Sequence, residues 1–113
     1  MMKVVQRSFL FIRAKQPFWN WARECDPDLM EFAPEETEGS VYLVEEDFFE
    51  LDPILKKSFK MILETELSAV TDDHNEWPEK LTFELFESWF SCEYGNSTYD
   101  LEKGGIGTYE VEL

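Results

Sequence analysis

Two runs of four consecutive apolar residues, Phe9 to Ile12 in "VVQRSFLFIRAK" and Val41 to Val44 in "VYLVEED", constrain the fold more than any other feature of the chain. Successive side chains of a strand point to opposite faces, so a run without polar alternation asks for cover on both sides of a sheet. Both runs are bounded by polar residues and both read as central strands.

Helices fill much of the remaining chain. Pro17 suits a first helical turn, and Phe18, Trp21, Ala22 and Cys25 follow at i, i+3, i+4 and i+7, one face of a helix directed at the core. Trp19 falls off that face, beside Asn20 and Arg23. A loop rich in acids follows, "DPD" and then "EFAPEETEGS", with Pro34 and Gly39 as breakers. Asp52 then Pro53 reads as an N-cap with proline at the first helical position; Leu55, Phe59, Ile62, Leu63, Leu67 and Val70 form an apolar stripe opposite Lys56, Lys57, Lys60 and Glu64. "TDDHNEWPEK" ends this helix, and Thr82 caps a third, with Phe83, Phe86 and Phe90 along one side and Leu85 and Trp89 adjoining. Short strands are predicted around Gly95-Asn96 and around the turn from Gly104 to Gly107.

This order predicts an α+β fold: a small mixed or antiparallel sheet of three to four strands, with about three helices packed on it. Residues 1–113 are expected to form a single domain, with 102–113 as a C-terminal extension strand. A hydrophobic fraction of 43% and an aromatic fraction of 16% supply a core despite the high charge. No apolar run approaches the roughly 20 residues that span a bilayer, and the opening apolar block is too short for a secretory signal. The expectation is a cytoplasmic protein with no membrane partner. Cys25 and Cys92 read as small buried hydrophobes in a reducing compartment, although the sequence leaves a disulfide between them open.

The formal net charge is -15, unevenly spread: residues 1–23 hold Lys3, Arg7, Arg13, Lys15 and Arg23 with no acid, while all 25 acids lie beyond them. The basic opening is expected to run beside acidic neighbours of the same domain, each exposed pair contributing roughly 0 to 1 kcal/mol. A surface this acidic repels a polyphosphate, so nucleic acid is not an expected partner.

Residues able to carry chemistry have plainer roles in this sequence. Asp72, Asp73, His74 and Glu76 cluster, but their spacing matches neither a zinc pattern nor a calcium loop, and they read as a solvated loop. His74 is the one histidine, no Ser or Cys stands in a nucleophile motif, and "KGGIG" lacks the lysine placement of a phosphate-binding loop. Accordingly no catalytic, cofactor-binding or metal-binding residue is assigned, and no cofactor is expected.

The succession Lys15, Pro17, Phe18, Trp21; Tyr42, Leu43, Val44, Glu46; Glu66, Leu67; Trp77, Pro78; Phe86, Trp89, Phe90; and Asp100, Leu101 resembles a family of small acidic bacterial proteins of uncharacterised function. The resemblance spans about residues 7–101 and rests on aromatic, structural motifs. It implies a small α+β domain and cytoplasmic residence, and offers no catalytic residue to carry over.

Two classes of function follow. The first is a non-catalytic protein-interaction or regulatory module whose acidic surface meets a basic partner; Glu35, Glu36, Glu38, Glu45, Glu46, Asp47, Glu50 and Asp52, which flank the second apolar run, favour it. The second is a small-molecule-binding protein or enzyme with an aromatic-lined pocket, for which Trp19, Trp77 and Tyr94 are the candidates. A charge serving only solubility stands beside both. Arg13, Lys15, Trp19 and Arg23 form a candidate interaction surface for a protein partner or a homodimer, because Trp and Arg are favoured interface anchors. The competing reading folds Trp19 onto a neighbouring loop such as "LMEFAP".

Overall fold

A computed structural model describes residues 2–29 and 38–113. Most of the loop "EFAPEETEGS", the acids Glu35 and Glu36 included, and most of "LMEFAP" lie outside the described residues.

The first apolar run lies in β2 (Ser8–Ala14), the middle strand of an antiparallel sheet of order β3-β2-β4, with β3 at Ser40–Val44 and β4 at Phe90–Gly95. Alternation along β2 is strict: Ser8, Leu10, Ile12 and Ala14 are buried, whereas Phe9, Phe11 and Arg13 are half-buried. Three helices, α1 (Gln16–Cys25), α2 (Leu51–Ser68) and α3 (Phe83–Trp89), supply the rest of the core. Phe18 and Ala22 of α1, Ile62, Leu63 and Leu67 of α2, and Phe86 of α3 join Leu10, Ile12, Ala14 and Phe90 in one buried cluster. The fold is α+β, with antiparallel sheets and three helices.

Aromatic rings link the helices. Trp21 and Trp89 lie 5.8 Å apart, Phe18 and Phe90 5.1 Å, Phe86 and Phe90 5.9 Å, and Phe59 and Phe83 5.5 Å. The packing thereby runs from α1 through α3 to α2. Such pairs add about 0.5–1.5 kcal/mol each beyond the area they bury.

The stretch "VVQRSFLFIRAK" is not one strand. It divides into β1 (Lys3–Val5) and β2, and β1 pairs with β5 (Thr98–Asp100) in a separate two-stranded antiparallel ribbon. Val5 faces Thr98 and Phe9 faces Gly95, so three residues intervene on the N-terminal side against two on the other. The additional residue acts as a bulge, which bends the paired strands and resets their facing. Side chains hold the bend in place: buried Ser8 Oγ donates to Asn96 Oδ1 at 3.0 Å and accepts from Asp47 N–H at 3.2 Å, and Thr98 Oγ1 donates to Arg7 O at 2.8 Å. Asp47 has φ 57°, a left-handed conformation that aims its N–H at that hydroxyl.

Several local expectations are corrected. Helix α2 starts at Leu51, with Glu50 at the N-cap position, so Asp52 lies in the first turn and meets Lys56 at 3.6 Å instead of capping. Leu51, the first helical residue, packs against the core. Thr82 does cap α3, accepting from Leu85 N–H at 3.1 Å. Phe90, placed on the helix by its spacing, has φ -135° and ψ 147° and opens β4 opposite Ala14. The extension strand expected at 102–113 does not form: β5 ends at Asp100, and 101–113 carries no strand. An alternating pattern such as "TYEVEL" becomes a strand only where a neighbouring strand accepts its hydrogen bonds.

The basic opening meets more than acids. Lys3 pairs with Asp100 at 3.4 Å across the ribbon, and the Glu102 N–H followed by Lys3 holds the Asp100 carboxyl below the usual carboxylate range. Arg7 donates to Gln6 O at 2.8 Å, Arg13 lies 4.9 Å from the centre of the Phe11 ring, and Lys15 Nζ donates to Glu87 O at 2.9 Å. Lys15 thus serves an unsatisfied carbonyl in the last turn of α3, where a cation is favoured.

Candidate interaction surface

The second apolar run was expected to need cover on two faces, and it does not have it. β3 is an edge strand: β2 pairs one side of it, and among the described residues no strand pairs the other. Tyr42 and Val44 turn inward and are half-buried, whereas Val41 is 59% exposed and Leu43 50% exposed on the outer face. Opposite Leu43 and Val41 in register stand Phe9 and Phe11 of β2. The outer face therefore carries an apolar strip of four side chains. Its aromatic half is anchored by glycines: a Cβ on Gly95 would lie 2.6 Å from the Phe9 ring, and one on Gly39 2.5 Å from the Phe11 ring. The edge of each ring occupies space that only glycine leaves vacant.

Along its unpaired edge β3 borders a groove of about 340 Å³, lined by Tyr42, Leu43, Val44, Lys57, Ser58 and Met61 together with Ile62 and Thr65. Met61 is 72% exposed there, an apolar side chain on the solvent face of an otherwise amphipathic helix. Tyr42 OH donates to the Glu66 carboxylate, fastening the strand to α2; burial, and then that hydrogen bond and charge, push the Tyr42 hydroxyl well above its ordinary range. Immediately beyond Val44 the chain forms a second recess of about 390 Å³, walled by Glu45, Asp47, Glu50, Phe48, Phe49, Pro53 and Ile54. Phe49 projects fully into solvent. An acidic, aromatic recess thus continues the line of the apolar groove.

Each of the four residues expected to form an interaction surface has contacts within the fold, and Lys15, Trp19 and Arg23 follow one another at i, i+4 and i+8 along one side of α1. Arg13 lies over Phe11 on the outer sheet face, Lys15 reaches the end of α3, and Arg23 donates to Asn20 Oδ1 at 3.0 Å on its own helix. Trp19, set off the core-facing side of α1 by its helical phase, is half-buried and packed against the core, 5.2 Å from Phe18 in an edge contact. It lines a recess of about 300 Å³ with Asp26, Leu29, Glu38, Glu66 and Val70. Trp77 and Tyr94 have other surroundings: Trp77 stacks on His74 at 3.9 Å and donates to Thr71 O, while Tyr94 meets Phe48 at 5.7 Å.

The loop acids also have local work. Asp73 accepts from Asn75 N–H at 3.0 Å, Glu76 accepts from Thr71 Oγ1 at 3.2 Å, and Glu76 O receives the Trp21 indole N–H at 2.8 Å. Among the described residues no three His, Cys, Asp or Glu side chains converge as metal ligands. Cys25 and Cys92 are both free and half-buried. Burial first, then Glu76 beside Cys25 and Glu93 beside Cys92, pushes each thiol up and keeps it protonated at neutral pH, a poor nucleophile.

The chain matches no family model, no curated protein and no solved structure. No helix among the described residues is long and apolar enough to cross a membrane.

Proposed function

We propose that this protein is a cytoplasmic, non-catalytic interaction module that binds a basic protein partner along the β3 side of its sheet. The observation that carries the reading is the recess at the end of β3, where three acids, Glu45, Asp47 and Glu50, surround a fully exposed Phe49. Carboxylates beside an aromatic face suit a guanidinium or ammonium group, which gains both ion pairing and a cation–π contact. The net charge of -15 adds long-range attraction for a basic partner and repulsion between two copies. It likewise disfavours nucleic acid.

The test is a fluorescence titration with labelled lysine-rich and glutamate-rich peptides at low salt and at about 0.5 M salt, where the Debye length shrinks to a few ångströms. The lysine-rich peptide binds at low salt, loses affinity steeply with added salt, and binds at least about tenfold more weakly to Glu45→Lys/Glu50→Lys. Binding that ignores this charge reversal, or absence of binding at low salt, contradicts the proposal.

A further inference from the structure

We infer that the unpaired edge of β3 accepts an extended segment of the basic partner as an added antiparallel strand. The inference rests on the preceding reading and specifies how the partner is held.

Three independent features meet at this edge. First, an edge strand directs unpaired N–H and C=O groups outward, ready to extend a ladder. Among the described residues β3 is such a strand, and its own sequence lacks two common protections. Its five residues, Ser40, Val41, Tyr42, Leu43 and Val44, include no charge and no proline. Second, among the described residues apolar cover is missing on both sides of the position that a fourth strand would occupy. Val41 and Leu43 are exposed on the outer face, and Met61 is exposed across the groove. A strand laid there places alternate side chains beside Leu43 and Val41, continuing the strip begun by Phe9 and Phe11. Its remaining side chains enter the groove above Ser58 and Met61.

Third, charge selects the occupant. Past Val44 the same line enters the recess of Glu45, Asp47 and Glu50 with Phe49, so the segment that pairs with β3 carries its basic residues at that end. Lys57 lines the groove itself, which favours uncharged side chains in the paired stretch. Every strand pair among the described residues is antiparallel, and antiparallel addition sets the basic end first in the partner's sequence. A second copy of the chain is the weaker occupant, because two molecules of charge -15 repel one another at contact distances.

The test uses a synthetic peptide with a lysine run followed by alternating valine and threonine over the length of β3. Its controls are the same peptide with prolines at the threonine positions and the lysine run alone. The paired-strand account requires the valine–threonine peptide to bind at least about tenfold more tightly than either control. It also requires Leu43→Glu and Met61→Glu, both at exposed positions, to weaken binding although each adds an acid that a purely ionic contact would welcome. Tighter binding by Leu43→Glu, or equal binding of the proline peptide, overturns the inference and leaves the charge-driven reading standing. Failure of all three peptides at low salt overturns both. Sedimentation of the chain alone covers the remaining occupant: a dimer abolished by Leu43→Glu assigns the edge to a second copy and overturns the inference.

Discussion

Residues 9–12 and 41–44 are paired with each other in one sheet and are equally apolar, yet one run sits inside the protein and the other on its rim. Leu10 and Ile12 have no exposure, while Leu43 and Val41, two positions of the neighbouring strand, are half exposed or more. The difference lies in what surrounds them. β2 has a strand on each side and the helical layer over Leu10 and Ile12; even its outer face is partly closed, by aromatic rings resting on glycines. β3 has one neighbour among the described residues, and its outer side chains have none of that cover. Stability therefore draws mainly on the first run, and the second keeps its outer side chains exposed.

The largest expected effect separates the two runs directly. Leu10→Ala or Ile12→Ala removes a fully buried side chain and should lower stability by about 2–5 kcal/mol, whereas Val41→Ala or Leu43→Ala should stay within about 1 kcal/mol of the parent. Urea midpoints at constant slope measure both; equal losses in the two strands would break the comparison.

A smaller effect is expected where the outer face of β2 is closed. Gly95→Ala drives a Cβ into the Phe9 ring and should cost about 1–3 kcal/mol. Because Phe9 and Gly95 face each other in register, the cost should shrink in the background Phe9→Ala, which removes the ring. A double-mutant cycle reads this coupling, and strict additivity would show that the ring does not depend on the glycine.

The smallest effect concerns the fastening of β3 to α2. Tyr42→Phe removes the hydrogen bond to Glu66 and should cost about 1 kcal/mol at neutral pH. The folded protein raises the Tyr42 pKa, so the associated stability is complete below the unfolded value near about 10 and is lost as pH rises above it. Alkaline unfolding followed by circular dichroism should show a pH-dependent component in the parent that is absent from Tyr42→Phe. Identical alkaline profiles would remove Tyr42 from the account.

Periodicity was sufficient for α1 and for the stripe of α2, because Phe18, Ala22, Ile62, Leu63 and Leu67 recur at helical spacing and are all buried. It failed for Phe90, whose place four residues after Phe86 continues a helix equally well; only its pairing with Ala14, distant in sequence, makes it a strand residue. The same limit explains β3. Four apolar residues in a row look alike whether a second neighbour strand exists or not, and strand order is a property of the whole chain. Trp19 was set outside the core by its helical phase, yet an indole is wide enough to reach back past Phe18 to the recess beside Val70. The acids after Val44 were visible in sequence as flanking charge, but their meeting with Phe49 in one recess required the turn at Asp47, whose left-handed conformation no local pattern announces. Several residues on which the family resemblance rests prove to be fasteners: Lys15 on the end of α3, Trp21 on Glu76, Tyr42 on Glu66 and Trp77 on Thr71.

The central claim is that β3 presents an open edge, and amide hydrogen exchange tests it most directly. Amides of β2, which is paired on both sides, should exchange only with global unfolding, while the outward-pointing amides of β3 exchange far faster and slow down when the valine–threonine peptide is added. Uniform protection along β3 in the protein alone, at the level of β2, would contradict the account.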